Sequence, residues 1–467
     1  MIQLKNVSFQ YADCEEGVSN INLTIRDGEC VVLTGPSGGG KTTLTRLLNG
    51  LAPAYYPGIL TGGIFLNGQQ LTQMPQYAIG RQVGSVFQDP KSQFFSSDLA
   101  GEVAFACENY GFPREEIRSR TDAAIRAFHL AGLGGRSLDV LSSGEKQRVA
   151  IASVYALRPG IYVCDEPTAN LDDEGTAQLA QTLRQLKAEG CTLIVAEHRL
   201  AWLSGIADRF VYLRGGRILW ERSAAELEQT PLQEREADGL RAVLETKTVK
   251  LPSPTGAVPA LRAQALCCVR KRKSIFQNVC LSAYAGQITA ITGHNGVGKS
   301  SLALVLTGLW RENGGTVTIG GAKRTAAQRR KQVWYSSNDT GTQFFTNSVT
   351  EELLLRSDRS PELLEKARGL LKQLGLYAYK DAHPATLSGG QKQRLAIACA
   401  IFSGRRILIL DEPTSGLDGQ NMRLIAERLK NEAWSGRTVL VITHDRELIE
   451  SCCDNVVEVG TKPSEVQ

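Results

Sequence analysis

One block of sequence occurs twice in this chain of 467 residues, in the same order and with the same spacing. The decapeptide LSSGEKQRVA of the first half returns as LSGGQKQRLA in the second. Ser142 precedes Asp165 by 23 residues, and Ser388 precedes Asp411 by the same number. Solenoid repeats are far shorter than the distance between these blocks, so the pattern predicts two copies of one folded domain.

The repeat divides the chain into a first domain over 1–225, a linker over 226–257 and a second domain over 258–467. The linker is polar and is then punctuated by proline and glycine, which predicts a connecting segment with one helix. At roughly 150 residues per domain, the length allows two or three domains that each bury a sizeable core.

The composition is that of an ordinary globular protein, with a net charge of +5 and 22% charged residues. The short cation run over 270–273 has no aromatic neighbours, which favours a solvated hairpin turn over a nucleic-acid patch. Eleven scattered cysteines without a C-x-x-C pair indicate reduced thiols in the cytoplasm. No run approaches the ~18 to 20 apolar residues of a membrane helix, so we expect any membrane role to come through a partner.

Continuous apolar runs that end in polar residues predict buried parallel strands. Such runs are CVVLTG from Cys30, IYVCDEP from Ile161 and TLIVAEH from Thr192. Helical periodicity follows in KTTLTRLLNGL and AQLAQTLRQLKAEG. The pattern predicts an α/β fold whose ligand chemistry lies where the strands end.

Two glycine-rich segments fit the P-loop pattern G-x-x-x-x-G-K-[ST], each between a predicted strand and a predicted helix. Their backbone N–H groups and the helix N-terminus would bind phosphate oxygens. We expect Lys41 and Lys299 to reach the β- and γ-phosphates; a glycine-rich turn without a ligand is the alternative. The expected ATP-binding residues are Gly35, Pro36, Ser37, Gly38, Gly39, Gly40, Lys41, Thr42 and Thr43, and in the second copy Gly293, His294, Asn295, Gly296, Val297, Gly298, Lys299, Ser300 and Ser301.

An acidic pair ends an apolar run in each copy, at Asp165–Glu166 and Asp411–Glu412. The aspartates, with Thr42 and Ser300, are expected to hold Mg²⁺, and the glutamates to orient and deprotonate the attacking water. Helix capping by these acids is the alternative. A histidine follows each aspartate by 33 residues, at His198 and His444, and this equal spacing favours a catalytic role over an ordinary histidine.

The order of P-loop, LSGGQ-type signature, D-E-P-T and histidine resembles the nucleotide-binding domain of the ABC ATPases over nearly all of both copies. The resemblance implies two P-loop NTPase domains in tandem, each with a mostly parallel core sheet, an antiparallel β subdomain and a helical subdomain. It also implies head-to-tail pairing, within one chain or between chains, so that ATP lies between the P-loop of one domain and the signature of the other. The signature residues expected at ATP are Ser142, Ser143, Gly144 and Glu145, and Ser388, Gly389, Gly390 and Gln391.

The segment VFQDPKSQFFSSDLAGEVAFACENYGFP resembles the Q-loop region of energy-coupling factor and cobalt importer ATPases. The resemblance implies a catalytic and magnesium-binding role for Gln88, a catalytic role for its counterpart Asn338, and a helix that faces a transmembrane partner. Exposed phenylalanine pairs suit such a docking surface, and packing into the core is the alternative. The expected docking residues are Gln93, Phe94 and Phe95, and Gln343, Phe344 and Phe345.

The two P-loops define a first site at Lys41 and a second site at Lys299. With head-to-tail pairing the first site receives the intact signature Ser388–Gln391. The second receives the altered one, in which Ser143 adds a side chain and Glu145 adds a negative charge near a polyanion. Both changes are expected to weaken the second site.

Two further departures fall on the second site. Its Q-loop residue Asn338 is one methylene shorter than Gln88. The first site has Tyr11 as a residue that could stack on adenine, whereas the matching region Leu266–Ser274 holds no aromatic residue. The hypothesis is that the first site hydrolyses ATP well while the second binds ATP and turns over slowly.

The favoured interpretation is a peripheral ATPase, with ATP and Mg²⁺ as cofactors, at the cytoplasmic face of the membrane. It would energise an energy-coupling factor importer of a vitamin, a vitamin precursor or a metal ion. The expected partners are a transmembrane coupling protein and, through it, a substrate-binding membrane protein, with no nucleic acid. The alternatives are the ATPase of another ABC importer, such as a sugar importer, and a soluble tandem ATPase acting on ribosomes.

Overall fold

The computed structural model describes residues 1–12, 16–169, 171–242, 258–270, 272–355 and 359–460. It has two compact units, unit 1 of Met1–Glu245 with Asp418–Gln420 and unit 2 of Thr246–Leu417 with Asn421–Gln467. The domain boundaries drawn from the sequence stay predictions. Two short helices, rather than the single one expected, lie near the start of the predicted linker, and its residues 243–257 lie outside the described residues.

The described residues of unit 1 form ten strands and nine α-helices. The strands are β1 Ile2–Tyr11, β2 Gly17–Ile25, β3 Cys30–Thr34, β4 Gly58–Leu66, β5 Gln69–Gln70, β6 Val83–Val86, β7 Ile161–Asp165, β8 Thr192–Ala196, β9 Arg209–Arg214 and β10 Arg217–Ser223. The helices are α1 Lys41–Leu48, α2 Leu51–Ala54, α3 Gln76–Gln82, α4 Leu99–Asn109, α5 Arg114–Ala127, α6 Ser143–Leu157, α7 Asp173–Ala188, α8 Ala224–Gln229 and α9 Leu232–Ala237.

The central sheet of unit 1 has the strand order β10-β9-β3-β8-β7-β6, parallel except for β10. Its middle strands β3 and β8 are buried along their whole length, as continuous apolar runs require. A second, antiparallel sheet has the order β2-β1-β4-β5. Helices α4, α5 and α6 pack together as a helical subdomain.

Unit 2 repeats this plan with nine strands and seven α-helices among its described residues. The strands are β11 Leu261–Arg270, β12 Lys273–Ala283, β13 Ile288–Thr292, β14 Gly314–Ile319, β15 Ala322–Lys323, β16 Val333–Ser336, β17 Ile407–Asp411, β18 Thr438–Ile442 and β19 Asn455–Glu458. The helices are α10 Lys299–Thr307, α11 Ala326–Gln332, α12 Val349–Leu353, α13 Pro361–Gln373, α14 Gly389–Phe402, α15 Gly419–Trp434 and α16 Arg446–Cys452.

The parallel sheet of unit 2 has the order β16-β17-β18-β13-β19, which matches β6-β7-β8-β3-β9 of unit 1. The antiparallel sheet β12-β11-β14-β15 matches that of unit 1 as well. The two ends of the cation run pair with each other, because Arg270 ends β11 and lies opposite Lys273 at the start of β12. Residue 271, within the predicted turn, lies outside the described residues. The fold class predicted from the sequence is therefore confirmed in both copies.

Each unit has two hydrophobic cores, one on each face of its parallel sheet. Along β3, Val32 belongs to the core under helices α4–α7 and Val31 to the core under the antiparallel sheet. Unit 2 has the same division, with Ala290 and Ile291 of β13 on opposite faces. Among the residues that the structure describes, no helix combines the length and the apolar character needed to cross a membrane.

Candidate functional site

The P-loop of unit 1 connects β3 to α1 and holds the side chain of its lysine. The Lys41 ammonium group donates hydrogen bonds to the carbonyl oxygens of Gly35 at 2.9 Å and Pro36 at 3.0 Å. Lys41 is buried, and this burial lowers its pKa, although the nearby charge of Glu166 opposes the shift. The lysine therefore lies inside the loop whose backbone would surround phosphate.

The last glycine of each P-loop is required by conformation and by close approach. Gly40 has φ +103°, and a Cβ atom there would lie 2.8 Å from Cγ1 of Val18 on β2. Gly298 has φ +96°, and its Cβ would lie 2.9 Å from Cγ2 of Ile275 on β12. Each P-loop thus abuts the first hairpin of its own unit.

Asp165 ends β7 beside the first residues of α1. The Thr42 hydroxyl donates to Oδ1 of Asp165 at 3.3 Å. Burial, with a contribution from Glu166, raises the pKa of Asp165 to about 6. A hydroxyl and a carboxylate in contact are the hard oxygen donors that Mg²⁺ prefers, so the donor set fits this ion, whose positive charge would favour the ionised carboxylate.

Glu166 carries the contacts expected of a residue that orients water. Its backbone has φ +44°, and its N–H donates to the carbonyl of Ala196 at 2.8 Å. The Gln88 amide donates to Glu166 Oε2 at 2.7 Å, and His198 Nε2 lies 3.3 Å from Oε1. Burial raises the pKa of Glu166, but His198 and then Lys41 outweigh burial, and the pKa is lowered. The three predicted catalytic residues of the first site are thus brought together.

Glu197 is a buried carboxylate beside this site that the sequence analysis missed. It accepts hydrogen bonds from the Thr168 hydroxyl, from Trp202 Nε1 at 3.2 Å and from the backbone N–H of His198 at 2.8 Å. Burial raises its pKa, and the charge of Glu166 acts in the same direction. Glu197 therefore fixes the backbone at His198, and its position directly before that histidine could have identified it.

Unit 2 repeats the lysine geometry and changes the surroundings of the aspartate. Lys299 donates to the carbonyl oxygens of Gly293 at 2.6 Å and His294 at 3.0 Å. The Tyr335 hydroxyl donates to Oδ2 of Asp411 at 3.0 Å. Burial raises the pKa of Asp411, while hydrogen bonds from Ser300 and Tyr335 oppose the shift. The residue of β6 that matches Tyr335 is a serine, and nothing in the sequence pattern indicated this contact.

Glu412 has the same backbone as Glu166 and different partners. Its φ is +49°, and its N–H donates to the carbonyl of Ile442 at 2.8 Å. The Thr443 hydroxyl donates to Glu412 Oε2 at 3.1 Å, and His444 Nε2 lies 3.9 Å from Oε1. Asn338 is exposed, and its side chain makes no hydrogen bond within the described part of the chain. Thr443 thus takes the place that Gln88 has at the first site.

Both signatures begin a helix through the same reciprocal cap. The Ser142 hydroxyl accepts from the N–H of Glu145, whose carboxylate accepts from the N–H of Ser142 at 2.8 Å. Ser388 and Gln391 form the identical pair at 2.8 Å and 3.4 Å. The glutamate therefore keeps the structural role of the glutamine and adds a charge at a helix N-terminus.

Tyr11 ends β1 next to the P-loop helix. Its hydroxyl accepts a hydrogen bond from Nη1 of Arg46 at 3.0 Å, and its ring meets Phe9 edge-on at a centroid distance of 4.9 Å. The guanidinium group of Arg46 also lies 3.9 Å from the ring centroid of Tyr56. The tyrosine expected to stack on adenine is thus part of a cluster of two tyrosines and one arginine.

The expected helix through the first phenylalanine pair is wrong. A 3₁₀ helix ends at Gln93, and α4 begins only at Leu99, so Phe94 and Phe95 lie in the connection between them, outside any helix. Gln93 holds this connection to β6, because its amide donates to the carbonyl of Ser85 at 3.1 Å.

The second copy has the same arrangement. Its 3₁₀ helix spans Thr340–Thr342, and the Gln343 amide donates to the carbonyl of Ser337 at 2.7 Å. Phe344 and Phe345 follow outside any helix.

The phenylalanine pairs divide between core and surface instead of being exposed together. Phe94 and Phe344 are half-buried and pack against the cores under the helices. Phe95 is 74% exposed and stacks on Phe105, and Phe345 is 79% exposed. Each phenylalanine pair therefore presents its second ring to solvent, while its first ring packs against the core.

A buried glutamate fixes each exposed ring, a feature that the sequence analysis missed. Glu102 Oε2 accepts from the backbone N–H groups of Phe95 and Ser96, both at 2.8 Å. Glu352 Oε2 accepts in the same way from Phe345 and Thr346, both at 3.0 Å. Both glutamates follow the glutamine of the QFF motif by nine residues, and this equal spacing could have identified them.

Known proteins that resemble this chain are ABC transporter ATP-binding proteins. The family model described as ABC transporter matches residues 18–169 and again 276–415. A putative ABC transporter ATP-binding protein of Treponema denticola is 38% identical over 466 residues, which cover 98% of this chain and 95% of that protein. The putative HMP/thiamine import ATP-binding protein YkoD of Bacillus subtilis is 32% identical over 488 residues, covering 98% and 89%.

Among solved structures, the model of ribosome-bound archaeal Pelota and ABCE1 aligns with a TM-score of 0.71 over 98% of this chain and 76% of that chain. Its sequence identity is 22%, so the likeness shows the fold alone.

The fold and the site together define the class of this protein, which is a tandem pair of P-loop ATPase domains. The chain belongs to the ABC transporter family and is an ATP-binding, ATP-hydrolysing protein with two ABC domains. ABC ATPases generally work with transmembrane partners. The roles assigned to individual residues, and the pairing of each P-loop with the other signature, stay predictions.

The unequal Q-loop contacts predict unequal mutational effects. Gln88→Ala removes a hydrogen bond to a carboxylate, worth about 1.5 kcal/mol, and should lower the ATPase rate roughly tenfold. The matched variant Asn338→Ala loses no such bond and should stay within about twofold. Steady-state ATPase assays of both variants measure this, and equal losses would contradict the assigned contacts.

The capping geometry predicts that Glu145→Gln leaves the first turn of α6 intact, since Gln391 caps α14 in the same way. Glu145→Ala removes half of the cap and should destabilise that turn by about 1 kcal/mol. Amide hydrogen exchange over the first turn of α6 separates the two variants. Faster exchange in Glu145→Gln than in the parent chain would contradict the cap.

Proposed function

We propose that this chain is the ATPase subunit of an energy-coupling factor importer at the cytoplasmic face of the membrane. ATP binding and hydrolysis would move the two ABC domains relative to each other. A transmembrane coupling protein would receive this motion and pass it to a substrate-binding membrane protein. The observation that carries this proposal is that each QFF loop presents one exposed phenylalanine, Phe95 or Phe345. The backbone N–H of each donates to a buried glutamate. The name of the Bacillus relative, an HMP/thiamine import protein, supports a vitamin or a vitamin precursor over a metal ion as cargo.

At the first site, the chain's own residues would divide the work of hydrolysis. Lys41 would leave the carbonyls of its loop for the β- and γ-phosphates, and Thr42 and Asp165 would hold Mg²⁺. When bound, this ion neutralises charge on the phosphate oxygens. Glu166, with its lowered pKa, is ionised at neutral pH and would accept the proton of the attacking water. His198, 3.3 Å from the carboxylate, would keep it oriented.

We further propose that the two sites differ in turnover. In head-to-tail pairing the first site would be completed by Ser388–Gln391, and the second by the signature with Glu145. The carboxylate of Glu145 lies at the N-terminus of α6, where it would repel the γ-phosphate. At the second site Asn338 does not reach Glu412, which is instead bonded by Thr443. These differences support slow hydrolysis at Lys299.

Glutamine variants of the two glutamates test the inequality. Glu166→Gln removes the proposed base of the fast site and should lower ATPase and transport by about 10²-fold or more in the assembled complex. Glu412→Gln, its matched counterpart, should leave at least about half of the ATPase activity, because the slow site contributes little. Equal losses would remove the proposed inequality.

Serine substitutions of the exposed rings test the docking role. Phe95→Ser and Phe345→Ser should each reduce recovery of the membrane complex by about tenfold, as expected for a buried aromatic anchor at an interface. Trp434→Ser is the matched control, since Trp434 is 77% exposed at the end of α15 and belongs to neither QFF loop. ATPase activity of the isolated chain should be unchanged in all three variants.

Co-purification from native membranes decides between the proposed function and its rival. Recovery of two small integral membrane proteins with the tagged chain is the expected result. Recovery with ribosomes, lost on nuclease treatment, would contradict the importer. The likeness to the structures of ribosome-bound Pelota and ABCE1 and of a ribosome recycling factor is one of fold, at 21–22% identity, and does not favour that rival.

A further inference from the structure

Strand β11 of unit 2 ends in an arginine where β1 of unit 1 ends in a tyrosine. Both strands are ten residues long. Their first residues, Ile2 and Leu261, occupy the same register, each paired with the last residue of the following strand and with a residue of the third strand of the sheet. Arg270 therefore occupies the position of Tyr11, the residue expected to stack on adenine.

This strand end lies close to the P-loop of unit 2. Arg270 pairs with Lys273, and Ile275, two residues further along β12, makes the close approach to Gly298 described above. The hairpin of unit 1 meets Gly40 in the same manner through Val18. A nucleotide held by the second P-loop would thus have Arg270 where one held by the first has Tyr11.

The guanidinium group of Arg270 lies against a tryptophan. Its central carbon is 4.8 Å from the ring centroid of Trp310, and Nη2 donates to the carbonyl of Arg311 at 3.4 Å. The segment that carries Trp310 is tied to β11, because Asn313 Oδ1 accepts from the N–H of Val269 at 2.7 Å. The Asn313 N–H donates in turn to the carbonyl of Cys267 at 2.9 Å. Both side chains are half-buried, so the planar group is held in one orientation.

Unit 1 also combines an arginine with aromatic rings near its P-loop. There the aromatic ring of Tyr11 comes from the strand end, and the arginine, Arg46, comes from α1. Counted from the P-loop lysines, the residue of α10 that matches Arg46 is Leu304. An aromatic residue follows the helix in both units, Tyr56 in one and Trp310 in the other, and each lies against an arginine. The combination of arginine and aromatic ring is therefore kept, although the arginine comes from a different element.

We propose that Arg270, which lies against Trp310, binds the nucleotide base at the second site by stacking its guanidinium plane on the purine ring. Guanidinium groups stack on aromatic faces and on nucleobases, so this pair can replace the aromatic residue that the region Leu266–Ser274 lacks. The inference rests on the proposed nucleotide site at Lys299. According to this inference, the two sites differ in their rate of hydrolysis, and both bind the nucleotide base.

Binding to the full chain in a Lys41→Ala background, which weakens the first site, tests the proposal. Arg270→Ala should weaken binding of a non-hydrolysable ATP analogue about tenfold, the usual loss for one stacking contact, and change inorganic tripolyphosphate by less than about twofold. Arg270→Tyr should restore the analogue's affinity, because it recreates the residue of unit 1. Trp310→Leu should weaken the analogue by roughly threefold, since the arginine loses its support.

Arg272→Gly is the matched control. It removes one positive charge from the same hairpin turn, at a residue with φ +64° that glycine tolerates, and should leave both affinities unchanged. The affinity for tripolyphosphate shows that each variant keeps a folded P-loop.

Two results would overturn the inference. Equal losses for the analogue and for tripolyphosphate in Arg270→Ala would show that the arginine acts on the phosphates, and no loss would show that it does not touch the nucleotide. Lys299→Ala in the same background separates this failure from failure of the site itself. If it abolishes the remaining binding while Arg270→Ala does nothing, only the base-binding role falls. If Lys299→Ala also has no effect, the second nucleotide site falls with it.

Discussion

The site of each unit depends on one unfavourable backbone conformation at the end of a buried strand. Glu166 and Glu412 have φ of +44° and +49°, a region that side chains other than glycine rarely occupy. The N–H of each donates to the strand next to its own, which holds the turn in place. Because the chain reverses there, two consecutive carboxylates point in different directions: Asp165 faces the start of α1, and Glu166 faces His198. The residue proposed to hold the metal and the residue proposed to accept the proton are therefore neighbours in the chain.

The same frame carries different side chains in the two copies. Gln88 contacts the glutamate in unit 1, whereas Thr443 does so in unit 2. Glu197 is a buried acid beside His198, and the residue that matches it is Thr443. The order of the five parallel strands, the contacts of the P-loop lysine and the signature caps are meanwhile the same in both units. The two copies thus share the backbone frame that positions the site residues and differ in the side chains around the glutamate. Such differences would allow the two sites to turn over at different rates.

The sequence predicted what depends on spacing and periodicity, namely the strands, the P-loops and the meeting of Gln88, Glu166 and His198. It did not predict contacts made across the fold by residues outside a motif, such as Tyr335 on Asp411. It also treated the QFF pairs as uniform, because an apolar pair in a loop has no periodicity to show which ring turns inward. The hydrogen bond from the Phe95 N–H to Glu102 fixes the backbone there, and it depends on a residue of α4 seven positions further along the chain.

The reciprocal cap at the two signatures has an evolutionary consequence. Glutamine and glutamate accept the same N–H with the same reach, so the helix does not distinguish Gln391 from Glu145. Their codons differ by a single base. A lineage can therefore change the charge at the N-terminus of α6 through one mutation that keeps the cap of the helix.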